Sequence, residues 1–175
     1  MIEDATVAYI ALGANLGDRL GALRAAVEGL EAHPEIVVQA ASPVYETVAH
    51  TIQPDEEQPL YLNAVVEVRT TLTAEALLAV CHDLEQAAGR LRRLRWMART
   101  LDLDVLVYGR ETRHRPGLVL PHPRLGARRF VLQPWADLAP NLYVPPPFDD
   151  TVAGLLRRCP DADVPRRTGY RLHHP

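Results

Sequence analysis

Two aspartates, Asp102 and Asp104, stand one residue apart in the run Arg99-Thr100-Leu101-Asp102-Leu103-Asp104-Val105-Leu106-Val107. On a strand, Leu101, Leu103, Val105 and Val107 would enter the core and the two aspartates would share the opposite face. Their Cα atoms would then lie about 7 Å apart, from roughly 3.3 Å of rise per residue. Carboxylates that close repel each other unless a cation lies between them. Hard oxygen ligands suit magnesium, which usually takes one or two carboxylates together with substrate phosphates. The competing reading is a solvated strand face carrying two aspartates, although aspartate disfavours strands and two of them need a reason.

Five arginines precede the pair: Arg90, Arg92, Arg93, Arg95 and Arg99. Planar guanidinium donors beside a metal-binding pair are what a polyphosphate requires, both for its oxygens and for charge that develops during transfer. A solvated basic loop or a nucleic-acid patch would also carry arginines. An RNA-binding face, however, more often holds lysines and interleaved aromatics. Trp96 is the one aromatic in this cluster, and Asp102 and Asp104 would repel a nucleic-acid backbone. His122, fixed between Pro121 and Pro123 with Arg124, Arg128 and Arg129 behind it, is either a phosphate contact or a lone structural histidine.

Composition closes off other chemistries. All 19 basic residues are arginines, so a lysine-bearing P-loop and Schiff-base catalysis are both excluded. Ser42 is the only serine and lies outside any nucleophile-elbow pattern. Cys81 and Cys159 match no metal or redox spacing, and Cys81 falls on the apolar face of an expected helix. A net charge of −3 selects no partner. Neither a signal peptide nor a membrane span is read in the chain, and a cytoplasmic, monomeric enzyme is expected.

The elements that must position these residues follow from periodicity. Thr6 to Leu12 is an apolar run ending at Gly13, read as a buried central strand. Gly13 to Gly17 forms a turn, and Asp18 caps a helix whose apolar face is Leu16, Leu20, Leu23, Val27 and Leu30, stopped by Pro34. Residues 36–39 and 44–47 read as strand, broken near Ser42-Pro43. Tyr61 to Arg69 alternates as a half-buried strand, with Tyr61 and Asn63 away from the core face. Thr73 caps a second helix with Leu77, Cys81, Leu84 and Ala88 inward and Gly89 as its stop. Residues 100–108, closed by Gly109, form another strand, and 118–120 a short one. Residues 130–138 read as a third helix, 151–158 as a short fourth, and the basic C-terminal tail is expected to be mobile. This order favours one α+β domain over 1–175, a ferredoxin-like sandwich with a mostly antiparallel sheet and helices packed on it.

Several of these motifs, in this order, resemble one family. Arg99-Thr100-Leu101-Asp102-Leu103-Asp104 is similar to the R-T-L-D-L-D signature of 6-hydroxymethyl-7,8-dihydropterin pyrophosphokinase, and Gly13-Ala14-Asn15-Leu16-Gly17-Asp18 resembles the family's opening turn. Tyr61-Leu62-Asn63-Ala64, the helix end from Leu84-Glu85 to Gly89-Arg90, and Pro121-His122-Pro123-Arg124-Leu125 with Arg128 and Phe130-Val131-Leu132 resemble further family segments. The likeness runs over about residues 1–160. It implies that a pterin hydroxymethyl oxygen attacks the β-phosphorus of ATP and releases AMP, a step of folate biosynthesis. By the same resemblance Asp102 and Asp104 would hold two magnesium ions, and Arg90 and Arg99 would act with them on the transferred group. Arg92, His122, Arg128 and Glu85 would bind ATP, while Thr47, Tyr61, Asn63, Trp96 and Phe130 would bind the pterin. The chain departs from the family at Val48-Ala49-His50-Thr51, where T-x-P-x-G is usual, and at Trp96-Met97-Ala98-Arg99. A non-catalytic paralogue of the same fold, or an RNA-binding ferredoxin-like module, is the alternative.

Overall fold

The computed structural model describes residues 3–48, 60–93 and 101–172, the side chains of residues 90–93 excepted. Its elements are β1 (Thr6–Ala14), α1 (Arg19–Glu31), β2 (Ile36–Ala41), β3 (Tyr45–Thr47), β4 (Tyr61–Thr70), α2 (Ala74–Arg93) and β5 (Leu101–Tyr108). There follow the hairpin β6 (Arg113–Arg115) and β7 (Leu118–Leu120), α3 (Arg129–Leu138), the short pair β8 (Tyr143–Val144) and β9 (Asp150–Thr151), α4 (Val152–Arg157) and β10 (Arg166–Arg167).

One antiparallel sheet runs β10-β3-β4-β1-β5, with β2 also on β4. The expected central strand is β1, which pairs with β4 on one side and β5 on the other. Strands β2 and β3 divide one edge of β4 between them: β2 pairs with its C-terminal half and β3 with its first three residues. Ser42 bridges the break. Its N–H donates to the Val65 carbonyl at 2.8 Å, and its hydroxyl accepts the Val65 N–H at 2.9 Å. The lone serine therefore completes a strand edge.

Helices cover both faces. The α1 and α2 side holds Ile10, Leu12, Leu23, Val27, Leu30, Leu62, Ala64, Val66, Leu77, Cys81, Leu103 and Val105. On the α3 and α4 side lie Tyr9, Ala11, Val65, Leu106, Val107, Leu132, Trp135, Val152 and Leu155. Strand β4 is therefore buried on both faces at its centre and not half-buried as its alternation suggests, because α3 covers Val65. Cys81 is a core residue, its thiol pushed up to about 12 by burial. Trp135 is fully buried, its ring 5.8 Å from that of Tyr9, and its Nε1 finds no hydrogen-bond partner among the described residues.

The two expected caps form, Asp18 accepting the Gly21 N–H and Thr73 the Ala76 N–H, and Thr151 adds a third by accepting the Gly154 N–H. Three further expectations are corrected. Helix α2 continues through Gly89 to Arg93. A helical glycine costs about 1 kcal/mol against alanine, and the good helix formers after it carry the ladder on. The β1–β5 register shifts between Tyr9 and Ile10, whose partners are Val107 and Val105, so Leu106 is an extra residue. This bulge reverses the alternation, and Val107 packs on the α3 face with Leu106, not beside Leu103 and Val105. Finally, the C-terminal segment is docked on the sheet: Arg166 and Arg167 pair with Glu46 and Tyr45, Thr168 bonds Val44, and Leu172 is buried in the α1 and α2 core. Its exposed basic side chains give it the composition of a free tail, but its backbone finds partners along β3.

Candidate active site

The α3 and α4 layer covers the sheet around Tyr9, Val65 and Val107 and stops short of its far end, where a polar corner begins. Across that end run Tyr45, Asn63, Gly13 and Asp102, one from each of four neighbouring strands. Cross-strand partners point to the same face, so Asp102 and Asn63 flank the glycine. Gly13 has no side chain to separate them: a Cβ built there would stand 3.1 Å from Asn63 Oδ1. In the adjoining row Asp104 pairs with Ala11, which pairs in turn with Val65. Asp102 and Asp104 thus share one face, and their partners on β1 are the small residues Gly13 and Ala11.

Two pockets meet at these carboxylates. The first, about 180 Å³, is lined by Gly13, Thr47, Tyr61, Asn63, Phe130 and the two aspartates, with Ala11, Val48, Arg128 and Val131 at its walls. Asn63 is buried and donates from Nδ2 to Thr47 Oγ1 at 2.6 Å, so the amide's orientation is fixed. Phe130 opens α3 and sits half-buried at the layer's edge, with the Arg128 guanidinium 5.7 Å from its ring centroid. The second pocket, about 330 Å³, has His82 and Glu85 of α2 on one side, Gly117 to Leu120 and His122 on the other, and both aspartates between.

An imidazole and a guanidinium converge on Asp104. His122 Nε2 and Arg128 Nη1 each lie 3.9 Å from its carboxylate. His122 is held by its own N–H, bonded to the Leu106 carbonyl, and by its Nδ1, which accepts the Arg124 N–H at 3.2 Å. An Nδ1 that accepts leaves the proton on Nε2, so the neutral ring presents a donor to the site. Burial pushes the His122 pKa down, Asp104 pulls it up, and Arg128 and Arg124 push it down; the net direction is down. Glu85 does something the sequence did not show: its Oε2 accepts the Leu103 N–H at 3.0 Å, fastening α2 to β5 between the two aspartates.

Of the expected site residues, Thr47, Tyr61, Asn63, Phe130, Asp102, Asp104 and Arg128 gather in the first pocket, and His122 and Glu85 join the aspartates in the second. Arg90 is helical in backbone but its side chain, like that of Arg92, lies outside the described residues, as do Trp96 and Arg99. Sequence reasoning missed Gly13 as a space-maker and His82 as a wall. The second carried a signal, since residues three apart on a helix share a face and Glu85 is three on from His82. Gly13 carried none until its strand partners were known.

Two carboxylates on one face, beside a pocket open to further oxygens, fit a magnesium ion that completes its coordination with phosphate and water. No cluster of three or more acidic, histidine or cysteine ligands occurs among the described residues, so a cage built wholly from protein is not offered there. Among the same residues no helix is long and apolar enough to cross a membrane.

The family model described as "7,8-dihydro-6-hydroxymethylpterin-pyrophosphokinase (HPPK)" matches residues 9–140. The chain is 42% identical over 134 residues to the 2-amino-4-hydroxy-6-hydroxymethyldihydropteridine pyrophosphokinase of Bacillus subtilis, covering 75% of this chain and 77% of that one. With the enzyme of the same name from Pseudomonas aeruginosa it shares 38% over 161 residues, 92% of this chain and 96% of the other. In fold it is similar to the crystal structure of wild-type Plasmodium falciparum HPPK-DHPS, with a TM-score of 0.67 at 14% identity. That match covers 89% of this chain but 45% of the other, so this chain spans less than half of that protein.

Proposed function

The chain belongs to the 7,8-dihydro-6-hydroxymethylpterin-pyrophosphokinase family, and from that premise we propose that it transfers pyrophosphate from ATP to the hydroxymethyl group of 6-hydroxymethyl-7,8-dihydropterin, releasing AMP, as a step of folate biosynthesis. The observation that carries this reading is the meeting of two pockets at one pair of carboxylates. A two-substrate transfer needs its donor and acceptor on either side of the same charged centre, in line and close.

In this reading the smaller pocket takes the pterin. Asn63, fixed by Thr47, presents its amide to the ring edge; Phe130 offers an aromatic face; Tyr61 closes the side. The larger pocket takes the triphosphate, with the neutral His122 donating from Nε2 and Arg128 placed between Asp104 and the pterin ring. By the family resemblance Arg92 would bind the triphosphate, while Glu85 lines the pocket and holds α2 against β5. By the same resemblance Trp96 would contact the pterin. Asp102 and Asp104 are the residues that would hold magnesium, two ions by the family resemblance. Bound magnesium neutralises phosphate oxygens and lowers the cost of bringing a hydroxyl to a polyanion. Arg90 and Arg99 answer the charge that develops on the transferred group. A phosphoryl-type transfer asks the protein mainly for position and electrostatics, and these residues supply both.

The test is AMP release from ATP and the hydroxymethyl dihydropterin with magnesium, against controls lacking the pterin. Pterin-dependent AMP formation in step with pyrophosphorylated product supports the reading. ATP binding with no AMP formed refutes it in favour of a non-catalytic paralogue.

A further inference from the structure

On the face of the sheet opposite the site, one side chain ties together the two strand ends that carry the pterin-side residues. Arg19, the first residue of α1, places Nη1 2.9 Å from Glu46 Oε2 and 2.7 Å from the Leu60 carbonyl oxygen. Glu46 precedes Thr47 at the end of β3, and Leu60 precedes Tyr61 at the start of β4. In that pairing Thr47 stands opposite Tyr61 and Glu46 opposite Leu62. Alternation sends Tyr45 and Thr47 to the site face and Glu46 to the α1 face, where its side chain is only 12% exposed. The same carboxylate receives a hydrogen bond from Arg166 of β10, whose backbone pairs with Glu46. A three-part contact therefore closes the β3–β4 edge from behind: α1 and the C-terminal strand meet on Glu46 of β3, and Arg19 joins that glutamate to the Leu60 carbonyl just before β4.

We propose that Arg19 is a positioning residue for the pterin pocket, setting through Glu46 and Leu60 the spacing of Thr47, Tyr61 and Asn63, with Arg166 as its second support. The inference rests on the reading of the smaller pocket as the pterin site. Arg19 touches neither pocket and its guanidinium lies across the sheet from the aspartates, so its effect passes through backbone. The path is short. Thr47 Oγ1 is the hydrogen-bond acceptor that orients Asn63, and Thr47 follows Glu46 directly. Edge pairing of three residues is weak by itself, and β3 has no more than that with β4. Because a single nitrogen makes both contacts, a lysine ammonium can reproduce them.

The experiment compares wild type, Arg19→Ala, Arg19→Lys and Arg166→Ala by steady-state AMP release, by calorimetric titration with a non-hydrolysable ATP analogue and magnesium, and by thermal melting. Arg19→Ala is expected to raise KM for the hydroxymethyl dihydropterin several-fold, with roughly tenfold as the ceiling if the whole net contribution of one charge-assisted hydrogen bond reaches the pocket. Its kcat and its affinity for the ATP analogue should stay within about twofold of wild type. Arg19→Lys should recover most of that KM, and Arg166→Ala should shift it the same way by less. An unmoved pterin KM in Arg19→Ala overturns the proposal, and so does equal loss of pterin and ATP-analogue affinity alongside a lowered melting temperature. A wild-type protein that releases no AMP instead overturns the assignment of the pocket on which it rests.

Discussion

Replacing Gly13 by alanine adds one methyl group at the point where the pterin side of the site and the metal-binding side touch. Its Cβ would meet Asn63 Oδ1 at 3.1 Å and Tyr61 Cδ1 at 3.9 Å. The first contact is a few tenths of an ångström too short, and Asn63 cannot turn aside freely because its amide is tied to Thr47 at 2.6 Å. Two free energies then oppose each other. Removing a glycine from a strand interior stabilises by about 0.5–1 kcal/mol through the unfolded chain, which offsets the strain of a small local shift. In the liganded protein a displaced amide leaves a buried polar edge unsatisfied, at a cost of about 1–3 kcal/mol. Pterin affinity should therefore fall roughly tenfold to a hundredfold, while the melting temperature stays unchanged or rises. Gly13 does not line the larger pocket, so magnesium–ATP affinity should not move. Titration calorimetry with each ligand, paired with thermal melting, reads all three quantities. Unchanged pterin affinity would refute the reasoning, as would a loss shared equally by ATP.

Asp102→Asn and Asp104→Asn should each depress turnover by on the order of 10²-fold or more, the cost of losing one well-placed charge at a phosphate-transfer centre, and weaken magnesium-dependent ATP binding. Circular dichroism should be unaltered; near-normal turnover in both variants would remove the metal assignment. Phe130→Ala should weaken pterin binding by the ~0.5–1.5 kcal/mol of a lost ring stack plus the loss of buried area, with ATP binding spared. Equal loss of both affinities with a lowered melting temperature would instead make Phe130 a packing residue. The Glu46 carboxyl is held below the usual glutamate range first by its hydrogen bond from Arg166 and then by Arg19, against burial that pushes it up. A depressed carboxylate stabilises fully above its unfolded pKa of about 4.3 and loses that contribution as pH falls through the folded value. Melting temperature should thus drop as pH falls below about 4.3, and Glu46→Gln should drop less steeply over the same range.

The sequence made the helical faces, the caps and the shared face of Asp102 and Asp104 legible because each is a local pattern read within one element. What it hid was decided between elements. The bulge at Leu106 depends on β1 running alongside β5, so the run 101–107 looks like uninterrupted alternation until the partner is known. Gly89 has the residue type of a helix stop, but stopping needs a left-handed turn, and the backbone there remains helical. The docking of residues 166–172 hangs on carbonyls and amides of β3, groups every residue carries, so composition alone could not foretell it. The pocket residues Tyr61 and Asn63 were readable from alternation, whereas the role of Gly13 lies in a side chain it lacks and emerges once Asn63 and Asp102 flank it.

Trp135 gives the molecule an optical reporter. Its indole is fully buried at the heart of the α3 layer, with its N–H unpartnered among the described residues and Tyr9 of β1 5.8 Å away. Such an indole emits at short wavelength, and a tyrosine at that separation hands it excitation energy efficiently. The chain has one other tryptophan, Trp96, so a Trp96→Phe protein would carry a single emitter. Its spectrum would report whether α3, and with it Phe130 at the helix start, is seated on β1. Red-shifted emission would mark the layer lifting from the sheet, visible in real time during mixing with either substrate.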